Sequence, residues 1–212
     1  MSQAAASVLI DLIRHGETVT PGRLIGRSDP PLSDLGRAQL KRQTHGRNWD
    51  AIVSSPRLRT LEPARLIGAD RKLSVRIDDD WRELDFGAWD GRTLEELRTD
   101  SATAAAVTAF YSFPDAPAAP GGESWHMLEA RVAAALRRLL DPAAAGPSPS
   151  PSATVLVVTH AGPIRAALSV VCAIPFANLW TFRIEPGTRI TLRVGRDAQA
   201  GLWGEIVEVV QP

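Results

Sequence analysis

Leu12-Ile13-Arg14-His15-Gly16-Glu17-Thr18 is the stretch whose reading decides the fold. Upstream of it, Val8 to Ile13 is apolar apart from Asp11, and the run stops abruptly at Arg14-His15. A short apolar run bounded by polar residues is the pattern of a buried strand. Such a strand carries a cation and an imidazole to its C-terminal end, where open α/β sheets bind ligands. One histidine after a strand is more often structural than chemical. Here the same reading must also account for Arg59, Glu83 and His160 further along the chain.

Outward from that strand, residues 16–31 read as a loop punctuated by Pro21-Gly22, Gly26 and Pro30-Pro31. A connection of that length in a compact domain is usually functional. Ser33 offers an N-cap for a helix over about 34–46. Ala51 to Ser54 is a short strand. Pro56 suits the first turn of a helix reaching about Ile67, which Pro63 should kink or shorten. Leu73 to Ile77 is a further strand, followed at 80–92 by a loop dense in aromatic and carboxylate side chains. Thr93 and Glu96 have the spacing of a capping box. Residues 101–113 are Ala-rich and helical, and Ser124 opens an amphipathic helix to about Leu140, with Leu128, Val132, Ala135, Leu136 and Leu139 on one face. Residues 142–152 are low-complexity, a solvated surface loop. Ala153 to Thr159 is a buried strand and Pro163 to Val171 a helix. The alternating tail, Arg189–Val194 and Trp203–Val209, is a hairpin at a sheet edge. The order β-α-β-α-β, an interruption, then α-β-α-β-β predicts a three-layer α/β/α sandwich with a mostly parallel sheet. It is a single domain over 1–212, with a small inserted cap at about 86–123.

The bulk numbers narrow the function. The chain has 212 residues, 24 Lys+Arg against 24 Asp+Glu, and one cysteine, Cys172. Zero net charge removes the general electrostatic case for nucleic acid or an anionic membrane. One cysteine builds neither a disulfide framework nor a Cys-rich zinc site. The N-terminus has no basic segment before its short apolar run, so a soluble cytoplasmic protein is the expectation.

Four segments end in the residue types that phosphate handling requires. Arg14-His15 follows the first strand. Arg59 lies in Ser54-Ser55-Pro56-Arg57-Leu58-Arg59, Glu83 in the aromatic loop, and His160 after Val155-Leu156-Val157-Val158-Thr159. Arginine is the natural bidentate partner of a phosphoryl group. A helix N-terminus after His160 favours an anion as well. A neutral imidazole is nucleophilic, and neighbouring cations keep it neutral. A carboxyl group can protonate a leaving alkoxide and later activate water. Arg57, the other arginine of its segment, is expected at the surface. His45 and His126 have no ligand-spaced partners and are expected in surface or packing roles. Asp85-Phe86-Gly87 matches the magnesium tripeptide of kinases without the accompanying kinase motifs, and Ser54 and Ser55 lack the Gly-x-Ser-x-Gly elbow of serine hydrolases. Trp89 and Trp125 could face either core or cleft.

Six blocks in sequence resemble the histidine phosphatase superfamily, the phosphoglycerate-mutase-like branch. They are Arg14-His15-Gly16-Glu17-Thr18; Gly26-Arg27-Ser28-Asp29-Pro30-Pro31-Leu32-Ser33 with Gly36; Ser54-Ser55-Pro56 with Arg59; Glu83-Leu84-Asp85-Phe86-Gly87 with Trp89 and Gly91; Pro120-Gly121-Gly122-Glu123-Ser124; and Val158-Thr159-His160-Ala161-Gly162. The resemblance implies a phosphoglycerate-mutase-like sheet and a metal-independent, cofactor-free phosphomonoesterase. His15 would become a phosphohistidine, Arg14, Arg59 and His160 would hold phosphoryl oxygens, and Glu83 would be acid and then base. Glu17, Thr18, Arg27, Phe86 and Ala161 are the further candidate substrate contacts. The chain departs from the family at Pro21, near the place of a usual Asn, and at Pro63, in place of a usual Thr.

Between Thr99 and Ala130 there is no Lys or Arg, while Phe110, Tyr111 and Phe113 are present. The cap therefore offers no second phosphate clamp, although Arg92 or Arg98 could bend in, and a bulky monoester with an uncharged or aromatic remainder is favoured. Glu83 to Gly91, Pro120 to Ser124, His160 to Arg165 and Leu179 to Arg183 resemble α-ribazole phosphatases of cobalamin assembly, so α-ribazole 5′-phosphate is the substrate expected. A broad-specificity phosphatase or a phosphoglycerate mutase is the alternative within the enzymes. A non-catalytic phosphate-binding protein on the same fold is the alternative outside them. A homodimer is left open.

Overall fold

In the computed structural model, which describes residues 7–141, 153–197 and 201–212, the apolar run before His15 is strand β1 (Ser7–Arg14). The low-complexity stretch 142–152 lies outside the described residues, as do residues 1–6. The other strands are β2 (Ala51–Ser54), β3 (Val75–Ile77), β4 (Thr154–Thr159), β5 (Arg189–Asp197) and β6 (Gly201–Val210). They form one six-stranded sheet in the order β3-β2-β4-β1-β5-β6. The four strands from β3 to β1 are mutually parallel, and β5 and β6 add an antiparallel hairpin beside β1.

The helices are α1 (Asp34–Thr44), α2 (Leu58–Arg71), α3 (Leu94–Thr99), α4 (Ala104–Ser112), α5 (Trp125–Leu139), α6 (Ala161–Cys172) and α7 (Phe176–Leu179). Strand alternation sorts the core into two layers. Ile10, Leu12, Val155 and Val157 pack with Leu128, Val132 and Leu136 of α5 and Ile164 and Leu168 of α6. Ile13, Ile52, Leu156 and Val158 face the other way, onto Leu40 of α1 and Ala64 of α2. Because both faces are covered, the parallel strands read as nearly continuous apolar runs. Each fully buried Leu or Ile contributes about 1.5–3 kcal/mol.

Caps set several helix starts. Ser33 accepts from the N–H of Gly36, Ser124 from that of Met127, and Thr93 with Glu96 forms both halves of the capping box. Two boundaries differ from expectation. Pro63 does not shorten α2, which runs on to Arg71; proline removes one N–H, and the burial of the helix face that carries Pro63 and Ala64, the latter packed with Ile52 and Val158 of the sheet, outweighs that loss. The start of α2 is capped from afar, since Asp29 Oδ2 accepts from Leu58 N at 2.7 Å. Helix α6 begins at Ala161, two residues before Pro163, because first-turn N–H groups have no helical partner to lose.

One charge is buried within the sheet. Asp11 of β1 has no exposed surface, yet it accepts from Trp49 Nε1 at 2.8 Å, Thr191 Oγ1 at 2.6 Å and Arg47 Nε at 3.1 Å, with Arg189 Nη1 at 3.5 Å. It ties β1, β5 and the α1–β2 connection together. Removing one partner of such a group strands the other charges, at a cost of about 3–5 kcal/mol. Asp11→Ala is therefore expected to lower the urea midpoint by an equivalent amount. A stability within about 1 kcal/mol of wild type, the scale of an exposed pair, would show that the network does not hold these strands.

Candidate active site

The parallel pairing of β1 with β4 aligns Arg14 with Thr159, so the next residue of each strand, His15 and His160, emerges at the same level. The His15 N–H donates to Thr159 O at 2.9 Å, extending the ladder by one step. The two imidazole rings lie 5.2 Å apart between centroids, tilted by 64°. Both are buried, His15 at 6% exposure and His160 at 0%. His15 Nδ1 is 2.7 Å from Gly16 O. A carbonyl only accepts, so Nδ1 carries the proton and Nε2 carries the free lone pair. His160 Nε2 pairs with Ser55 Oγ at 2.8 Å, at the end of β2.

Burial, then the fields of Arg14 and Arg59, push the His15 pKa well below the ordinary imidazole value. Burial, then Arg59, His15 and Arg14, do the same to His160. Two neutral imidazoles can stand beside two guanidinium groups where two imidazolium ions could not. Arg59 comes from the first turn of α2 and is fully buried. Its Nη1 donates to Ser28 O at 2.9 Å and Asp29 Oδ1 at 3.3 Å, and its Nη2 to Ile25 O at 2.7 Å. Arg14 Nη1 donates to Ile184 O at 2.6 Å. Arg14 Nε, Arg59 Nε and His160 Nδ1 are all buried without a partner. Leaving such a group unmade costs about 1–3 kcal/mol each, and an oxygen-rich anion that reached them would recover that cost.

Glu83 approaches from the loop after β3. Its Oε1 accepts from Leu84 N at 2.9 Å and Gly162 N at 3.0 Å. A Cβ on Gly162 would lie 2.3 Å from that oxygen, so only glycine lets the first turn of α6 hold the carboxylate. No hydrogen bond to Oε2 occurs among the described residues. Gly16 is another close approach: a Cβ there would meet the Gly36 carbonyl oxygen at 2.1 Å, so the loop can fold back on α1.

Arg14, His15, Glu17, Thr18, Glu83, Phe86 and Ala161 line a cavity of about 1140 Å³; Arg59 and His160 are fully buried and are not brought to its lining. Thr18 is buried and pairs with Leu32, and Glu17 Oε1 accepts from Ser33 Oγ at 3.0 Å. Arg27 is not brought to the lining. Its Nε donates to Asp85 at 2.7 Å and its Nη2 to Gly121 O at 2.6 Å. Thr20, Pro21 and Gly22 form part of the rim, where the family pattern has its Asn. Trp125 lines the cavity, whereas Trp89 packs edge-on against Phe110. Arg57, expected at the surface, is half-buried and does not line the cavity; its carbonyl starts α2 by accepting from Thr60 and Leu61. His45 is exposed, and so is His126, which pairs with Asp115.

Three contributors were not foreseen. Asp90 accepts from the N–H groups of Gly26, Arg27 and Ser28, and from Ser28 Oγ. Partial burial raises its pKa, but these bonds more than offset that and lower it. It thereby fixes the loop whose carbonyls hold Arg59. Arg165 and Arg183 also line the cavity. Arg165 lies four residues after Ala161, which places it on the same face of α6; that spacing was the available signal. Leu179 to Arg183 was read only as a motif and residues 184–188 not at all, yet Phe182 O and Ile184 O hold Arg165 and Arg14.

The sequence model of the histidine phosphatase superfamily (branch 1) matches residues 10–203. Glucosyl-3-phosphoglycerate phosphatase of Mycobacterium tuberculosis (strain CDC 1551 / Oshkosh) is 33% identical over 178 residues, 79% of this chain and 76% of that protein. Adenosylcobalamin/alpha-ribazole phosphatase of Escherichia coli (strain K12) is 28% identical over 181 residues, 83% of this chain and 85% of that protein. The solved structure of a mycobacterial glucosyl-3-phosphoglycerate phosphatase superposes with a TM-score of 0.79 at 27% identity, covering 93% of this chain and 96% of that one. Among the described residues no helix is long and apolar enough to cross a membrane.

The electrostatics can be read directly by NMR titration of the ligand-free protein. His126, raised by Asp115, should titrate above the ordinary imidazole value of 6.5, and His15 and His160 below it. The depressed pair are neutral when folded and bind protons when unfolded, so the stability they affect falls as pH drops below about 6.5. A protonated His15 at pH 7 would contradict this arrangement.

Proposed function

The chain belongs to the histidine phosphatase superfamily (branch 1), whose members are phosphoric monoester hydrolases, and we propose that it hydrolyses a small phosphate monoester through a phosphohistidine on His15. One observation carries this reading: a lone pair on His15 Nε2 beside the buried, unpartnered Nε of Arg14 and of Arg59, with His160 Nδ1 a third donor when Ser55 Oγ donates to its Nε2. In this reading the phosphoryl oxygens satisfy those donors while Nε2 attacks phosphorus and the ester P–O bond breaks. Glu83 gives its proton to the departing alkoxide, then takes one from the water that attacks the phosphohistidine. Inorganic phosphate leaves and His15 is regenerated. The guanidinium groups offset the phosphoryl charge, so the steps as written use no metal and no cofactor.

The remainder of the substrate lies toward residues 86–123, acting as the cap, where Phe110 and Tyr111 of α4 join Trp125 and Trp180 in one aromatic cluster on the cavity lining, Tyr111 edge-on to Trp180 at 4.9 Å. That aromatic wall supports α-ribazole 5′-phosphate, the substrate favoured by the motifs. A second reading, a broad-specificity phosphatase or a phosphoglycerate mutase, is supported by the arginines of the same wall. The absence of cations between Thr99 and Ala130 is made up by Arg98, Arg165 and Arg183.

His15→Ala is expected to abolish turnover. Rapid quench of wild type, in excess EDTA, should trap a phosphoryl group that is acid-labile and alkali-stable. Undiminished activity in the mutant, or label on a serine, would rule the mechanism out. Glu83→Gln should slow phosphoenzyme formation far more from an alkyl phosphate than from p-nitrophenyl phosphate, whose phenolate leaves unaided. Equal slowing with both would show that Glu83 is not the acid.

A further inference from the structure

Two buried imidazoles stand side by side, and the chemistry asks opposite things of them. His15 must offer a lone pair, and Gly16 O secures it by holding the proton on Nδ1 at 2.7 Å. His160 helps to hold an anion only if its open nitrogen carries a proton. That nitrogen is Nδ1, buried and without a partner, while Nε2 lies 2.8 Å from Ser55 Oγ. A hydroxyl can donate to an imidazole nitrogen or accept from it, so this distance alone leaves the tautomer open. The other bonds of Ser55 close it.

Ser55 is the residue after β2, and the parallel register sets Ser54 opposite Val158 of β4. Ser55 N donates to Val158 O at 3.1 Å, two residues before His160. The Ser55 carbonyl accepts from Ser54 Oγ at 2.8 Å and from Thr60 Oγ1 at 3.0 Å. The residue is therefore anchored on both sides, and it has no exposed surface. Its Oγ accepts from Arg57 N at 3.4 Å, a long bond that occupies one lone pair. Among the described residues the hydroxyl meets no acceptor other than His160 Nε2.

The two tautomers can now be compared. With the proton on Nε2, His160 and Arg57 N both donate to Oγ. The Ser55 hydroxyl proton then has no acceptor, and Nδ1 is a bare lone pair that would repel a phosphoryl oxygen. With the proton on Nδ1, Ser55 accepts from Arg57 N and donates to Nε2, and the only unmet group is the Nδ1 N–H. The first arrangement leaves two buried polar functions unmet and the second leaves one. Burial, then the field of Arg59, disfavours the doubly protonated ring, so one of these two tautomers must hold.

We infer that Ser55 is a positioning residue: its hydroxyl donates to His160 Nε2 and fixes that ring as the Nδ1–H tautomer, so that His160 gives a donor to the phosphoryl group. The serine acts through the histidine and forms no covalent bond. The inference rests on the phosphohistidine reading above and deepens it.

The test is nitrogen-15 NMR of the histidine rings in the ligand-free protein at about pH 8, where an ordinary imidazole is neutral. Protonated and lone-pair ring nitrogens resonate far apart, and His15→Ala and His160→Gln variants assign the two buried rings. Wild-type His160 should show a protonated Nδ1 and a lone pair on Nε2. Ser55→Ala should shift the ring to Nε2–H or to a mixture, and Ser55→Thr, which keeps a hydroxyl, should retain Nδ1–H. Ser55→Cys, a weak donor of similar size, replaces the alanine variant if that one does not fold. Calorimetry should show inorganic phosphate bound about 2- to 10-fold more weakly by Ser55→Ala, the range for one ordinary hydrogen bond. An Nε2–H ring in wild type, an Nδ1–H ring that survives Ser55→Ala, or a lost tautomer with unchanged phosphate affinity overturns the inference, and a phosphoenzyme trapped in that same protein leaves the phosphohistidine reading in place. An Nδ1–H ring held by Ser55 in a protein that yields no phosphoenzyme overturns that reading and leaves the tautomer assignment standing.

Discussion

Mutual repulsion among buried cations is the constraint on which the site depends. Arg14, Arg59, His15 and His160 share a small volume from which water is largely excluded. The arrangement is tolerable only because burial holds both imidazoles neutral, and because Glu83 lies close enough to pull the two guanidinium values back up after burial has lowered them. An anion placed among these groups relieves both the repulsion and the unmet hydrogen bonds. A charge-neutral ligand can accept the hydrogen bonds but leaves the repulsion, which favours an anion before any detail of the organic remainder matters.

Holding those groups in place takes more of the chain than the residues that touch the site. On one side, Asp90 gathers the N–H groups of residues 26–28, and that loop presents Ile25 O and Ser28 O to Arg59. On the other side, the turn before β5 offers Ile184 O to Arg14, and Gly187 N donates to His15 O at 3.0 Å. Gln211 braces that turn by donating from Nε2 to Arg183 O at 2.7 Å. Each guanidinium is thus gripped at Nη and left open at Nε. The grip costs the free protein little, and the open donor keeps its strength for a ligand.

The candidate catalytic side chains were legible because each sits at a point where the pattern of the chain changes. Arg14-His15 and His160 end apolar runs, Arg59 follows a strand by one short turn, and Glu83 lies in a loop with too many aromatic residues to be a simple connection. Helix caps were legible for the same local reason, as Ser33, Thr93 and Ser124 bond within their own first turns. Pro63 misled because the local rule for proline was outweighed by packing along α2. Arg165 was passed over because the absence of cations was judged within the segment 99–130, whereas a cavity collects side chains from every element that borders it.

By itself the sequence determined the layers and the residue types offered to the site. Apolar periodicity decides which residues face a core, and the ends of the runs decide which polar groups the sheet presents. It did not determine which of the 24 Lys and Arg residues share a cavity, which carry carboxylates and which stand alone. Those relations run between residues far apart in the chain, such as Asp29 with Leu58, Asp90 with Gly26, and Trp180 with Arg165. Tertiary structure alone decided them, because burial, not residue type, sets whether an arginine is solvated at the surface or held waiting for an anion.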